Sequence, residues 1–585
     1  MRYGAKVGSL QRCRRMGARH LHRWKPLEGP ADSLRRWFRA ASRRSWRAGI
    51  ALLTLASVGL LGCPRAAEPP PEGTPRLVLF LVVDQMRADY VERMDPLFTG
   101  GLRRLLDEGV LFTQAHHDHA ATNTAPGHAA LATGRHPGPA GIVSNWWMDR
   151  TEKDWAYCVG DDRYDTSPAH LLVPGFGDWL QERYPTARVV SISGKDRSAV
   201  LMGGWNADGA FWYDKDTGGF TTSSYYDTPE WLEELNEEHV ADKWFGQLWA
   251  PEDLDEETAR QLDIVDLDEG PFGRRIPHFV GSATLGPSES FYGALYETPY
   301  LDELTGQYVR RLLETQDLGR DEVPDLLAVS FSSLDTVGHG YGPNSPEVVD
   351  VLLRLDRILE DLLRLVDDTV GLENVVISLS SDHGVAPLPE LAHQRGRPGH
   401  RIDSVDIQCI QRAGRELIEE LGVDPWIDGS RTLDPEVLEE EGLEADDVLR
   451  RAKALVSECP MVERAWLSSE LEAPVSGELS EVERRYRNSY HPERSPDLAI
   501  QLRPLDVPLT GWQTGHGSVY DYDSHVPLLI RRPGGSIGRI HDPVRTVDLA
   551  PTLAELVGIP VPEGVDGVSL AHRLSAAEAP RVGSR

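Results

Sequence analysis

"RLVLFLVVD", residues 76–84, carries the clearest mark of fold class in the sequence. Leu, Val and Phe fill positions 77 to 83 without a polar interruption. A strand of that composition has no face for water, so it belongs inside a mostly parallel sheet with helices on both sides. The run ends on a carboxylate, Asp84. The same pattern recurs in "PDLLAVSFSSLD", residues 324–335, which ends in Asp335, and in "ENVVISLSSDHG", residues 373–384, which ends in Asp382 and His383. "ARVVSIS", residues 187–193, reads as another strand, as do "DLAIQL" (497–502) and "VPLLIRR" (526–532). Ligands bind at the carboxyl ends of strands in open parallel sheets, so three acidic strand ends point to one shared site.

Helical patterns separate these strands. "GGLRRLLDEG", residues 100–109, is a short amphipathic helix. "SPEVVDVLLRLDRILEDLLRLVDD", residues 345–368, starts on Ser345-Pro346 and repeats apolar residues at 348, 352, 355, 359, 362 and 366. The fold class is therefore α/β, with a mostly parallel central sheet flanked by helices. Residues 76–205, 321–389 and 496–575 form the expected core. A Trp/Tyr-rich acidic stretch at 206–320 and a charged helical stretch at 390–495 are the expected insertions or caps.

The chain has 585 residues and a formal charge of −31, unevenly spread. Residues 1–62 carry 14 Lys/Arg against 2 Asp/Glu, which leaves −43 on the remainder. So acidic a body repels nucleic-acid backbones, which argues against nucleic acid as a partner. Residues 1–62 read as a leader whose basic stretch precedes the apolar "AGIALLTLASVGLLG". That run is short for a membrane span. "LLGC" resembles a lipoprotein cleavage box and makes Cys63 the expected lipid-bearing residue. The Pro-rich tether at 63–75 follows. Export to the periplasm or cell envelope, with a membrane attachment through that lipid, is the expectation, and a monomer is favoured. Cys158, Cys409 and Cys459 allow at most one internal disulfide, whose pairing the sequence does not reveal. Without a Cys-x-x-Cys spacing, any metal site here uses oxygen and nitrogen ligands.

"SLDTVGHGYG" (333–342) places Asp335 and His339 four residues apart. "SSDHG" (380–384) joins Asp382 to His383, and "TGHGS" (514–518) sets His516 between glycines. Carboxylate and imidazole together suit Zn²⁺. Each motif alone is equally a turn with a hydrogen-bonded histidine. Together with Asp84 they exceed what one ion needs and suit the paired ions of phosphoryl-transfer sites. In "HAATNTAPGHAALATGRHP" (119–137), Thr124 stands at or just before a helix N-terminus. It reads either as a capping threonine or as a nucleophile placed where backbone N–H groups favour an anion. Lys195 and Arg197 in "GKDR" are two apart, which in an extended segment would turn both to one face.

The ordered set "VVDQMRADY", "NTAPGHAALATG", "GIVSNWWMDR", "SISGKDRSAV", "SLDTVGHGYGP", "SSDHGV" and "TGHGS" resembles the alkaline phosphatase superfamily, and within it the PafA-type phosphomonoesterases. The resemblance spans residues 76 to about 560. It implies an alkaline-phosphatase-like fold and two Zn²⁺ ions. Asp335, His339 and His516 match the ligands of one zinc. Asp84, Asp382 and His383 match those of the other, with the Thr124 oxygen joining them. Thr124 is the implied nucleophile, forming a phosphothreonine. Asn145, Lys195 and Arg197 match the residues that hold the phosphoryl group of a small phosphorylated substrate. A phosphodiesterase or nucleotide pyrophosphatase of the same superfamily shares the ligands and the threonine but lacks Lys-x-Arg, and would place a second ester group in an apolar slot such as the aromatic insertion could form. A sulfatase would need Cys or Ser at position 124. A non-catalytic surface lipoprotein is disfavoured because every expected ligand is present. His116, His117, His119 and His128 crowd near Thr124, where they read either as hydrogen-bonding supports of the site or as packing residues, packing being the expected role.

Overall fold

The computed structural model describes residues 69–250, 254–265, 277–280, 286–508 and 512–576. The leader, Cys63 and the first part of the tether lie outside the described residues. The central sheet takes, in chain order, β1 (Leu77–Val83), β2 (Val110–His116), β3 (Val189–Ser193), β4 (Gly209–Tyr213), β5 (Phe220–Thr221), β6 (Asp325–Phe331), β7 (Val375–Ser380), β8 (His525–Arg531), β9 (Gly538–Ile540) and β10 (Val544–Arg545). Across the sheet they run β9-β2-β8-β7-β1-β6-β3-β4-β5, with β10 also pairing β2. Only β5 and β8 run against the others. β1 lies in the middle, in parallel register with β6 (Leu77 opposite Asp325) and with β7 (Leu77 opposite Val375).

The uninterrupted apolar run of β1 is explained by what covers it. Leu77, Leu79, Leu81 and Val83 enter one hydrophobic cluster and Val78, Phe80 and Val82 the other, all fully buried. Each such side chain contributes roughly 1.5–3 kcal/mol by leaving water. The first cluster packs α1 (Gly101–Glu108), α4 (Tyr300–Thr315) and α6 (Pro346–Thr369) against the sheet. The second packs α2 (Thr124–Thr133) and the helix Leu549–Leu556. Two further helices, α3 (Asp196–Gly203) and α5 (Ser333–Tyr341), follow β3 and β6. Ser345 caps α6 by accepting the Val348 N–H, and the apolar positions expected to face inward are all buried.

Two boundaries differ from expectation. In the 206–320 stretch, β4 and β5 extend the central sheet and α4 covers it. Trp231, Trp244 and Trp249 are buried in the main core, so these three tryptophans fill the interior. At the other end, Leu498–Leu502 pairs with Val462–Leu467 in a separate two-stranded sheet. That pair packs on α7 (Ser404–Leu421) and α8 (Ala445–Val456) around its own small core. The chain returns to the central sheet only at β8. A Cys409–Cys459 disulfide ties α7 to the segment after α8, and Cys158 is a buried free thiol.

Candidate active site

Asp84 follows β1 directly, and Asp382 and His383 come two and three residues after Ser380, where β7 ends. Asp335 is a step further removed. β6 ends at Phe331, and Asp335 lies in the first turn of α5, with His339 one turn later on the same face. Asp335 is therefore presented by a helix and not by a strand end, and His339 sits on that helix and not in a loop. The helical spacing brings His339 Nε2 to 3.2 Å from Asp335 Oδ1. His516 arrives from the loop before β8, its Nε2 3.6 Å from the same oxygen and its ring stacked on His383 at 3.6 Å. His383 Nε2 lies 3.5 Å from Asp84 Oδ1 and 3.3 Å from Asp382 Oδ2. Six side chains from four chain segments thus converge, with Asp335 common to both halves of the cluster. The ligand atoms of Asp335, His339 and His516 lie within 4.8 Å of one another, as do those of Asp84, Asp335 and His383.

The donor set itself tests whether metal ions fit. His339 Nδ1 faces the Thr514 carbonyl at 2.8 Å, His516 Nδ1 the Thr122 carbonyl at 2.8 Å, and His383 Nδ1 the Gly384 carbonyl at 2.9 Å. A carbonyl only accepts, so each Nδ1 carries the proton and each Nε2 presents a lone pair to the centre. Asp84 Oδ1, Asp382 Oδ2 and His383 Nε2 are buried and make no hydrogen bond. Buried lone pairs without donors are costly unless a cation meets them. The residues present fit divalent ions.

Charge gives the same result. Burial, reinforced by the charge of Asp382, pushes Asp84 well above the usual carboxylate range. Burial also opposes ionisation of Asp335, but Lys195 and His339 outweigh it and hold that carboxyl well below. His383 and His516 are shifted down by burial, which keeps them neutral and able to ligate. Three carboxylates in one dry pocket exceed what one lysine neutralises.

Thr124 is the first residue of α2, with Asn123 as its N-cap, so the threonine is not the cap. Its helix seats closely on the ligand cluster. A Cβ at Gly127 would stand 2.1 Å from the Asp382 carbonyl oxygen, so only glycine admits this approach. Arg197 Nη2 is 3.4 Å from Thr124 Oγ1. Asn145 Oδ1 accepts the Ala125 N–H at 2.8 Å, which leaves its amide N–H groups free to donate. The "GKDR" segment is not extended: Lys195 is the N-cap of α3, and Arg197 lies in its first turn. Lys195 Nζ stands 2.6 Å from both Asp84 Oδ2 and Asp335 Oδ2 instead of beside Thr124. Buried carboxylates require a counter-charge, and the flexible ammonium supplies it. Arg197 is held from behind by Tyr157, whose hydroxyl is 3.5 Å away and donates to Asp196 at 2.7 Å.

Three further residues support the cluster, of which the sequence reading singled out only the two histidines. Gln85 bends the chain after β1 with a φ of 69° and donates its amide to Asp335 Oδ1 at 2.6 Å. His128 faces the Thr124 carbonyl and, across 3.2 Å, Asp382. His117 Nε2 contacts the Ser381 carbonyl at 2.9 Å. Of the histidines near Thr124, His117 and His128 therefore take the hydrogen-bonding role rather than packing alone, holding the segments that carry Asp382, His383 and Thr124. Their one sequence signal was proximity to Thr124; Gln85 had none beyond its place after Asp84.

Residues 78–522 match the family model for type I phosphodiesterase / nucleotide pyrophosphatase. The chain is 32% identical to alkaline phosphatase PafA of Elizabethkingia meningoseptica over 90% of its own length and 98% of that protein's. It is 32% identical to a protein of Myroides odoratus named calcium-transporting ATPase, over 85% of its length and 94% of that protein's. A crystal structure of wild-type alkaline phosphatase PafA superposes with a TM-score of 0.75 at 30% identity, covering 85% of this chain and 98% of that one. With its ordered motifs, its sheet and this convergence of side chains, the chain belongs to the type I phosphodiesterase / nucleotide pyrophosphatase family, within the alkaline phosphatase superfamily and on its PafA-type branch.

Proposed function

We propose that the protein hydrolyses phosphate monoesters through a phosphothreonine at Thr124, with two Zn²⁺ ions bound. The observation that carries this reading is Thr124 Oγ1 at a helix N-terminus with a guanidinium 3.4 Å away, on a helix pressed against the convergent ligand cluster. Asp335, His339 and His516 would hold one ion, and Asp84, Asp382 and His383 the other. Bound there, the pair would supply Lewis acidity, lowering the pKa of the threonine hydroxyl and offsetting negative charge on the reacting oxygens.

The protein's own groups supply the rest. Thr124 Oγ forms a bond to phosphorus as the ester oxygen departs, and water then cleaves the phosphothreonine to release inorganic phosphate and restore the hydroxyl. Arg197 and the free N–H groups of Asn145 bind the non-bridging oxygens and keep the transferred group in line. A cation placed for those oxygens favours the dianion of a monoester over the monoanion of a diester. Trp231, Trp244 and Trp249 are committed to the core and offer no aromatic slot for a diester's second group, which weakens the diesterase reading. Thr124 stands where a sulfatase needs Cys or Ser. The "alkaline phosphatase" in one relative's name supports the monoesterase reading; transport is said of the other relative alone.

The reading extends to location. The basic leader, the apolar run and "LLGC" support export and a lipid on Cys63, with the catalytic body working as a monomer in the periplasm or cell envelope. A metal-replete panel with a phosphate monoester, its diester and a sulfate ester tests the activity. Monoester turnover exceeding the other two by orders of magnitude is expected, and a diester turned over as fast as the monoester contradicts it.

A further inference from the structure

Beside the nucleophile's helix, a cleft of about 260 Å³ opens between the hairpin of Trp146–Asp149 with Asp154–Tyr157 and the region carrying α7 and α8. Its volume is near the lower end of the roughly 300–1,000 Å³ usual for small-molecule sites, room for about one ring system. Its inner end is lined by Asn123, Ser144 and Gly517, the chain neighbours of Thr124, Asn145 and His516. Trp146 and Trp155 form a wall with 52% and 49% of their surfaces exposed. Large rings left half in water need a reason, and a ligand that covers them is one. The wall is continuous with the phosphoryl site, because the Trp146 ring lies 4.5 Å from that of Tyr157, whose hydroxyl faces Arg197.

Arg431 lines the same cleft. Its backbone is pinned, the carbonyl accepting from the N–H groups of Asp497 and Leu498 at 2.9 and 3.2 Å. Its guanidinium makes no hydrogen bond or ion pair among the described residues. The neighbouring arginines are committed: Arg150 to Asp497, and Arg494 to the carbonyls of Gly141 and His170. In a body of net charge −43, an exposed arginine left without an acid is a feature aimed at a ligand.

We propose that this cleft is the leaving-group subsite, and that Arg431 selects monoesters whose leaving group is a planar ring carrying an anion, such as a carboxylated aryl phosphate. The proposal rests on the monoesterase reading. With the phosphoryl group at Thr124, the ester substituent enters the cleft, its ring lies against Trp146 and Trp155, and its anion meets the guanidinium as a fork.

The test compares 4-carboxyphenyl phosphate with its neutral methyl ester on the metal-replete enzyme. Arg431 is exposed and outside the catalytic machinery, so its replacement leaves the fold intact. Arg431→Ala lowers kcat/KM for the carboxylated substrate about tenfold and for the neutral one less than twofold, the loss expected of one charge-assisted contact. Arg431→Glu widens the gap. Binding of 4-hydroxybenzoate, followed by tryptophan fluorescence, weakens in parallel. Equal losses on both substrates, or 4-hydroxybenzoate affinity unchanged in Arg431→Ala, overturn the subsite. A wild-type enzyme that turns over neither ester overturns the monoesterase reading instead, and the subsite with it.

Discussion

His128 Nδ1 stands 3.2 Å from Asp382 Oδ2 while pointing at the Thr124 carbonyl 2.9 Å away, and its Nε2 meets Ser330 Oγ at 2.8 Å. One imidazole thus ties the nucleophile's helix, a ligand carboxylate and strand β6 together. It touches no substrate, so it is a positioning residue. His128→Ala is expected to weaken metal affinity roughly 10–100-fold, the usual cost of losing a group that orients a ligand. Competition with a chelator measures this. His128→Gln, which keeps a donor, recovers part of the loss. Wild-type affinity in the alanine variant would reduce His128 to packing.

Thr124→Ala removes the attacking oxygen and leaves the six nitrogen- and carboxylate-bearing ligands. Turnover of an aryl phosphate is expected to fall on the order of 10⁴-fold, as it does when a covalent nucleophile is lost. Metal content, measured on the purified variant, stays the same. An active variant would remove the covalent step.

Arg197 is the cation nearest Thr124 Oγ1. Arg197→Ala is expected to cost monoester kcat/KM about 10²–10³-fold and diester kcat/KM less than about tenfold, because a diester brings one negative charge fewer. Equal losses on the two substrates would mean that Arg197 does not set the preference.

Asp523 offers a pH signature at a carboxyl outside the six-residue cluster. Burial raises its carboxyl to about 7 against the hydrogen bonds from Ser518 and the charges of Arg87 and His339. The unfolded value is about 3.9. Between about pH 4 and 7 the folded chain keeps a proton that the unfolded chain has lost. Stability therefore falls as pH rises through that window, by up to roughly 1.4 kcal/mol per unit, and levels off above it. Asp523 Oδ2 accepts from Ser518 N–H and Oγ–H while Oδ1 makes no hydrogen bond. An asparagine keeps those contacts without titrating. Thermal midpoints across the window are expected to decline less in Asp523→Asn than in the wild type. Superimposable profiles would contradict the assignment.

The central sheet was legible because β1, β6 and β7 are apolar on both faces, a pattern that only a doubly covered strand requires. The cluster of acids and histidines was legible because carboxylates and histidines recur at the carboxyl ends of those strands or just beyond. What was not legible depends on how the chain turns after each strand. Nothing in "SSLD" distinguishes a longer strand from a helix starting at Ser333, yet the helix alone puts His339 over Asp335. "GKDR" reads as extended until Asp196 opens α3, and the location of Lys195 among carboxylates emerges only once those acids are gathered in space. The aromatic stretch at 206–320 misled for a similar reason: its tryptophans sit between acidic runs in sequence but face the core in space. Arg431 lies far in sequence from every motif, and its unpaired state is visible only in three dimensions.

Asp84, Asp335, His339, Asp382, His383 and His516 are proposed to hold two ions beside Thr124. Anomalous scattering at the zinc edge, from crystals of the metal-replete protein, tests this most directly. Two peaks are expected, one against Asp335, His339 and His516 and one against Asp84, Asp382 and His383, with Thr124 Oγ1 beside the second. A single peak, or peaks remote from Thr124, would contradict it.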